Sequence, residues 1–212
     1  MFLSLGAVFL CLGVCLPLFM YYKKSLRPRL AACFKVLGTC CALVVALVAA
    51  LRLDSQCWVC VIALALQAAG DYALEFRFPL GMGFFMAGHI AYIAWFAQLF
   101  PVTASFAVIL GCLLFLTGIV MYRWRDKVGK QMPLFVLYAL ILCGMTAFAL
   151  SGGFSAFSVR GILIAAAATF FFISDFMILL RLLFPAGRWL EWTVMVTYYC
   201  AQLLFGISCL YT

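Results

Sequence analysis

The sequence predicts an all-α integral membrane protein, a bundle of eight transmembrane helices forming a single domain over residues 1–212. Three observations predict it. The 212 residues are 69% hydrophobic and only 9% charged, whereas a soluble domain carries about 25% charged residues to cover its surface. The apolar residues fall into eight runs, each near the length of about 20 residues that spans a bilayer. The Lys and Arg residues collect in alternate connections between those runs, the asymmetry that orients helices in a membrane.

In order, the runs are Phe2–Tyr22, Leu30–Leu51, Cys57–Phe76, Leu80–Phe100, Val102–Tyr122, Met132–Leu150, Gly161–Leu183 and Trp192–Tyr211. The first has no basic stretch before it and positive charges after it, which reads as a retained spanning helix rather than a cleaved signal. The third and fourth are joined so tightly that their shared boundary is free to shift. The remaining connections are short, so neighbouring helices are expected to be antiparallel, and no extramembrane domain remains to be placed. No internal repeat is evident.

Orientation follows from the connections. Lys23, Lys24, Arg27 and Arg29 follow the first run, Arg77 the third, Arg123, Arg125, Lys127 and Lys130 the fifth, and Arg181 and Arg188 the seventh. Only Arg52 and Arg160 lie in the other connections. The odd-numbered connections are therefore expected in the cytoplasm, with both the N and C termini on the exoplasmic side. The net charge of +8 is not a nucleic-acid signal, because no basic face runs along any segment. The eleven cysteines sit mostly inside apolar runs as small hydrophobes. Cys57 and Cys60, in "CWVC", have redox-motif spacing without the βαβ context that motif needs, so they read as packing thiols.

A charged side chain at the centre of a spanning helix costs roughly 2.5–3.5 kcal/mol on insertion scales, so each one needs a reason. With a helical rise of about 1.5 Å per residue, depth can be assigned. Asp71 lies about 8–10 Å from the cytoplasmic end of its helix, and Glu75 is nearer the interface. Gln67, Asp71 and Glu75, at i, i+4 and i+8, share one face. His89 lies about 14 Å in, with Tyr92 one turn further, and Asp175, preceded by Ser174, about 12 Å in. Lys35 and Tyr138 lie about 8–9 Å in. Tyr198 and Gln202 share one face of the last helix, with Tyr199 beside them. Most of these groups fall in one layer although their helices are distant in sequence. The expectation is a polar cavity in the cytoplasmic half, lined by the second, third, fourth, sixth, seventh and eighth helices.

Each residue also has a plainer reading. Glu75 can snorkel to the interface or pair with Arg77, and Lys35 can snorkel. His89 can be a structural residue bonded to a neighbouring helix, and Tyr138, Tyr198 and Tyr199 can be packing aromatics. Asp71 and Asp175 resist such readings, since neither has an obvious cationic partner on its own helix and both lie beyond easy reach of water.

Two carboxylates in a low-dielectric cavity cannot both ionise freely. One is then held as a proton donor while the other stays anionic, a pairing suited to a cationic, oxocarbenium-like transition state, as in glycoside hydrolysis or acid cleavage of an enol ether. A single His rules out a His₃ or His₂-carboxylate zinc site and leaves only a carboxylate site for a harder cation open; the expectation is no metal and no other cofactor. No G-x-S-x-G, HExxH or Walker sequence is present. The rival class is a proton-coupled transporter of a lipid or small molecule using the same acids.

Five stretches resemble one known family. "LALQAAGDYALEF" followed by "FFMAGHIAYIAWF" is similar to the Gly–Asp and Gly–His–x–x–Tyr helices of the YhhN-type lysoplasmalogenases. "PLFVLYAL" resembles that family's Pro–x–x–x–x–Tyr segment, "ATFFFISDFMILLRLL" its Phe–x–x–Ser–Asp helix and "TVMVTYYCAQLLFGIS" its Tyr–Tyr–x–x–Gln closing helix. The motifs are weak singly but occur in the family's order along nearly the whole chain. One departure is visible: the family often has Lys–Pro early in its second helix, where this chain has Lys35 followed by Val36. The resemblance implies an eight-helix membrane hydrolase that cleaves the vinyl ether bond of a lysophospholipid, releasing a fatty aldehyde and glycerophospho-ethanolamine or -choline. It implies as polar site residues Asp71, His89, Tyr92, Ser174, Asp175, Tyr198, Tyr199 and Gln202. With the depth reading, Asp71, Asp175 and His89 are the expected catalytic residues. Lys35, Glu75, Tyr92, Tyr138, Ser174, Tyr198, Tyr199 and Gln202 are the expected substrate contacts. The expected partners are the lysophospholipid and the bilayer, in a bacterial inner membrane or an endoplasmic reticulum.

Overall fold

The structure, a computed structural model, describes residues 2–123, 125–184 and 187–211. Its long helices are α1 (Phe2–Lys24), α2 (Pro28–Arg52), α3 (Cys57–Leu74), α4 (Phe78–Leu99), α5 (Ala104–Arg123), α6 (Met132–Ala156), α7 (Val159–Leu183) and α8 (Arg188–Ser208). A short helical turn, Arg125–Val128, and a 3₁₀ turn, Gly129–Gln131, precede α6. Among the described residues, seven helices are long and apolar enough to cross a membrane. The remaining long helix, α8, has the length but not the apolarity, because Thr193, Thr197, Tyr198, Tyr199 and Gln202 interrupt its hydrophobic residues.

Prolines set several boundaries. Pro28 and Pro79 occupy the first turns of α2 and α4, where a missing N–H leaves no hydrogen bond unmade. Both helices therefore start two residues earlier than expected, and α3 stops at Leu74 rather than Phe76. In α1, Phe9–Cys15 is π-helical, with the Leu16 N–H reaching back to the Cys11 carbonyl. Pro17 follows directly, and the wider turn ahead of it absorbs the bond that proline cannot make.

The expected end of α6 at Leu150 is wrong by six residues, since the helix runs through Ser151, Gly152 and Gly153 to Ala156 and stops where Phe157 turns left-handed at φ 45°. The glycines are there for proximity. A Cβ on Gly153 would lie 2.4 Å from the Gly161 carbonyl oxygen of α7, so the two backbones meet as small residues allow in membrane bundles. Helix α7 then starts at Val159, capped by the Ser158 hydroxyl, which accepts from the Gly161 N–H at 3.0 Å.

Contacts run α2–α3, α3–α4, α4–α6, α6–α7, α7–α8 and α8–α2, which closes a ring of six helices. Helix α1 packs outside the ring on α2, and α5 outside it on α6. Exposed Leu, Ile, Val and Phe side chains cover the outer surface, as a lipid-facing surface requires. The six ring helices are those expected to line a polar cavity.

Candidate active site

A cavity enclosing about 850 Å³, with the space at its mouth included, lies inside the ring. Its lining comes from early α2, late α3, early α4, early α6, late α7 and early α8, with Thr117 from α5. It therefore sits at the end of the bundle where the basic connections lie. The polar lining is Lys35, Asp71, Thr117, Tyr138, Ser174, Asp175 and Tyr198. Most of the remaining wall is apolar, including Phe78, Phe85, Phe135, Phe172 and Phe176. A chamber of this kind suits a hydrocarbon chain with one polar reacting group.

On one side of the cavity, three helices converge on Asp71. Its Oδ1 lies 3.5 Å from Lys35 Nζ, with the two side chains 0% and 7% exposed. Its Oδ2 accepts from the Thr39 hydroxyl at 2.5 Å and from the Tyr198 hydroxyl at 2.7 Å. Thr39 sits one helical turn beyond Lys35, so both reach the carboxylate from the same face of α2. A buried cation with two hydroxyl donors is what keeps a carboxylate ionised away from water. Oδ1 has the ion pair but no hydrogen-bond donor among the described residues.

The second acid is held differently. Asp175 Oδ2 accepts from the Tyr138 hydroxyl. Behind Tyr138, His89 Nε2 lies 3.2 Å from the same hydroxyl, and His89 Nδ1 lies 3.4 Å from Gln67 Nε2. His89 Nε2 is 3.9 Å from Asp175 Oδ2 itself. The imidazole has no exposed surface and meets the Phe171 ring edge-on at 4.7 Å. Asp175 has no Lys or Arg within ion-pair distance among the described residues. The two carboxylates thus differ in kind, one with an ammonium ion beside it and the other at the end of a neutral chain.

From Lys35, ion pairs lead outward. Glu75 is 3.6 Å from Lys35 and 3.9 Å from Lys23, Lys23 is 3.1 Å from Glu191, and Glu191 is 3.5 Å from Arg181. Glu75 takes its partners from α1 and α2, not from the neighbouring Arg77 that the sequence suggested. Lys35 does not snorkel to the interface, because Asp71 and Glu75 hold it inside.

Some expected contacts do not reach the cavity. Tyr92 and Gln202 are fully buried and bonded to each other at 3.1 Å, with the Tyr92 ring stacked on Phe205 at 4.1 Å. They lie one turn beyond His89 and Tyr198, which takes them below the cavity floor, where they brace α4 against α8. Tyr199 lies behind the wall, its hydroxyl donating to the Lys35 carbonyl at 3.2 Å. His89 also stands behind the wall and meets it only through its contact with Tyr138. Ser174 lines the cavity, but its hydroxyl donates to the Val194 carbonyl at 3.0 Å. Thr39 was missed in the sequence. Its signal is a hydroxyl one turn from a membrane-depth lysine. Gln67 was placed on the right face without a role, and its bond to His89 supplies one.

The model of the YhhN family matches residues 30–209. The chain belongs to the YhhN family. The match takes in every cavity-lining residue of this YhhN member, from Lys35 to Tyr198, and leaves α1 wholly outside. No curated protein and no solved structure matches the chain. Membership in the YhhN family is consistent with a membrane hydrolase, and the cavity gives that reading its chemical content.

Proposed function

We propose that this YhhN member is a lysoplasmalogenase. It hydrolyses the vinyl ether bond of an alkenyl lysophospholipid to a fatty aldehyde and glycerophospho-ethanolamine or -choline. The observation that carries the reading is the unequal treatment of the two carboxylates on one apolar cavity wall. The ion pair with Lys35 makes Asp71 the anionic member. Asp175, with no ammonium or guanidinium beside it, is the member that carries a proton in the resting site.

The chemistry then follows. The Asp175 carboxyl gives its proton to the vinyl β-carbon, and the electron pair of the double bond forms the new C–H bond. The adjacent carbon becomes an oxocarbenium ion, which the Asp71 carboxylate stabilises. Asp71 Oδ1 is enclosed, so the Asp175 carboxylate left by proton transfer, whose side chain is 11% exposed, is the one that meets the attacking water. Water adds to the cation and loses a proton to the carboxylates, and the hemiacetal collapses to aldehyde and glycerol hydroxyl. The alkenyl chain lies among the Phe side chains, and the head group stays near Lys23, Glu75, Glu191 and Arg181. In this reading α8 is the eighth span, both termini are exoplasmic and the cavity opens to the cytoplasm.

The decisive experiment is an aldehyde assay on detergent-purified protein with a lysoplasmenyl phospholipid. Wild type releases aldehyde, and Asp71→Asn and Asp175→Asn, both folded, do not. Full activity in either variant sinks the dyad. No aldehyde from wild type, with substrate-driven proton flux in liposomes, would favour the transport reading. That reading has less support, because the fully buried Tyr92, Trp95, Phe96, Phe205 and Gln202 pack the bundle beyond the cavity.

A further inference from the structure

The hydrogen-bond chain behind Asp175 has a direction, and one side chain decides it. His89 is fully buried and an imidazolium there would lose its hydration, so the ring is neutral and carries a single N–H. Two arrangements follow. With the proton on Nε2, His89 donates to the Tyr138 oxygen, Tyr138 donates to Asp175 Oδ2, and Nδ1 must accept from Gln67. With the proton on Nδ1, Gln67 must accept through its oxygen, Nε2 takes the Tyr138 proton, and Tyr138 offers Asp175 only a lone pair.

The two arrangements treat the acid oppositely. In the second, the Asp175 proton is tied up on Oδ2 against Tyr138, and a carboxylate formed there would face a lone pair. In the first, Oδ2 is a filled acceptor, so the acidic proton sits on Oδ1. The hydrogen bond from Tyr138 then strengthens as negative charge develops on the carboxyl. Gln67 Nε2, not its oxygen, faces Nδ1, and Gln67 Oε1 is buried without a donor among the described residues. Either way round, one end of the amide stays unpaired, so the amide's own bonding does not choose. Serving an acid that must give up its proton does.

We propose that Gln67 is a positioning residue: by donating to Nδ1 it holds His89 in the Nε2–H tautomer, so that three donors in series, Gln67, His89 and Tyr138, end on Asp175 Oδ2. Gln67 is absent from the cavity wall and acts only through His89. Both the choice of tautomer and its catalytic consequence rest on the vinyl-ether reading above, while the spectrum below tests the tautomer by itself.

The chain has a single histidine, so the protein can report on itself. Protein labelled with ¹⁵N-histidine and purified without a histidine tag gives one pair of imidazole nitrogen signals. Wild type is expected to show Nε2 protonated and Nδ1 as a hydrogen-bonded acceptor. Nδ1 protonated, or an imidazolium, overturns the proposal whether or not the protein has activity. Gln67→Glu replaces the donor with an acceptor and is expected to move the proton to Nδ1. It should lower kcat for aldehyde release about tenfold or more with little change in KM. Gln67→Met, similar in shape and without a donor or acceptor, should lose less. An equal loss in the two variants means that Gln67 only packs, and unchanged kcat in Gln67→Glu overturns the proposal as well. If wild type releases no aldehyde, the functional reading fails while the spectrum still decides the tautomer.

Discussion

Lys35 Nζ lies 3.5 Å from Asp71 Oδ1, two opposite charges on α2 and α3 that water scarcely reaches. Removing one partner of such a pair leaves the other buried and uncompensated, at a cost of about 3–5 kcal/mol. Lys35→Met should therefore lower the thermal midpoint in detergent sharply. It should also abolish aldehyde release, because an unpaired Asp71 takes up a proton and no longer stabilises a cation. The double variant Lys35→Met/Asp71→Asn should recover most of the stability and none of the activity. A double variant no more stable than Lys35→Met would show that the pair is not what holds the lysine inside.

Tyr138 carries the contact between the neutral chain and Asp175. Tyr138→Phe removes one oxygen and leaves the ring on the cavity wall. Without that donor the Asp175 carboxylate formed on proton transfer loses its hydrogen bond, so kcat should fall by roughly 10–100-fold. KM should change little, since the apolar lining is kept. Steady-state kinetics on alkenyl substrate separate the two parameters. A rise in KM with kcat intact would instead make Tyr138 a substrate contact.

How far this site could be read in advance depended on the kind of information each residue carries. Depth follows from helical rise alone, so the layer shared by Asp71, His89, Tyr138 and Asp175 was visible, and so was the set of helices around it. Rotation about a helix axis relative to its neighbours is not visible in one sequence. The partners of Asp71, which are Lys35, Thr39 and Tyr198 from α2 and α8, therefore appeared only with the fold. The same blindness put Tyr92 and Gln202 on the cavity wall when they lie a turn below it. Helix α6 runs six residues past the expected Leu150 because Gly152 and Gly153 let it pass close to Phe100 and to Gly161 of α7, approaches that are set by the neighbouring helices and not by the local sequence. In α8 the inward-facing Tyr198, Tyr199 and Gln202 lower the apolarity that marks a span.

At the other end of the bundle, Asp54 in the α2–α3 connection meets Arg160 of α7 at 2.8 Å, and the guanidinium lies over Trp95 at 5.6 Å. Partial burial works against the Asp54 charge. The Gln56 N–H and Arg160 outweigh it and hold the carboxyl below its usual range. The folded carboxyl thus binds a proton less readily than the unfolded one. The pair's contribution is complete above the ordinary carboxylate range and disappears as pH falls through the lowered folded value. Asp54→Asn should cost on the order of 1 kcal/mol at neutral pH and nothing at a pH where Asp54 is protonated. Thermal midpoints of both proteins, measured from neutral to acid, should converge on acidification. A constant difference would remove the ion pair as the cause.

Tyr92 and Gln202 test whether the cavity floor is structural. The Tyr92 hydroxyl donates to Gln202 Oε1 at 3.1 Å, and Gln202 Nε2 is buried with no partner among the described residues. Gln202→Met strands the hydroxyl, which costs about 1–3 kcal/mol for an unsatisfied buried group. Tyr92→Phe strands the amide oxygen at a similar cost. The double variant Tyr92→Phe/Gln202→Met removes both partners while keeping their shapes, so it should lie nearer wild type in thermal midpoint than either single change. Because neither residue touches the cavity, kcat and KM for the alkenyl lysophospholipid should stay within about twofold in every folded variant. A loss of kcat in the stable double variant would place these two residues in the chemistry and extend the reacting layer one helical turn below the floor.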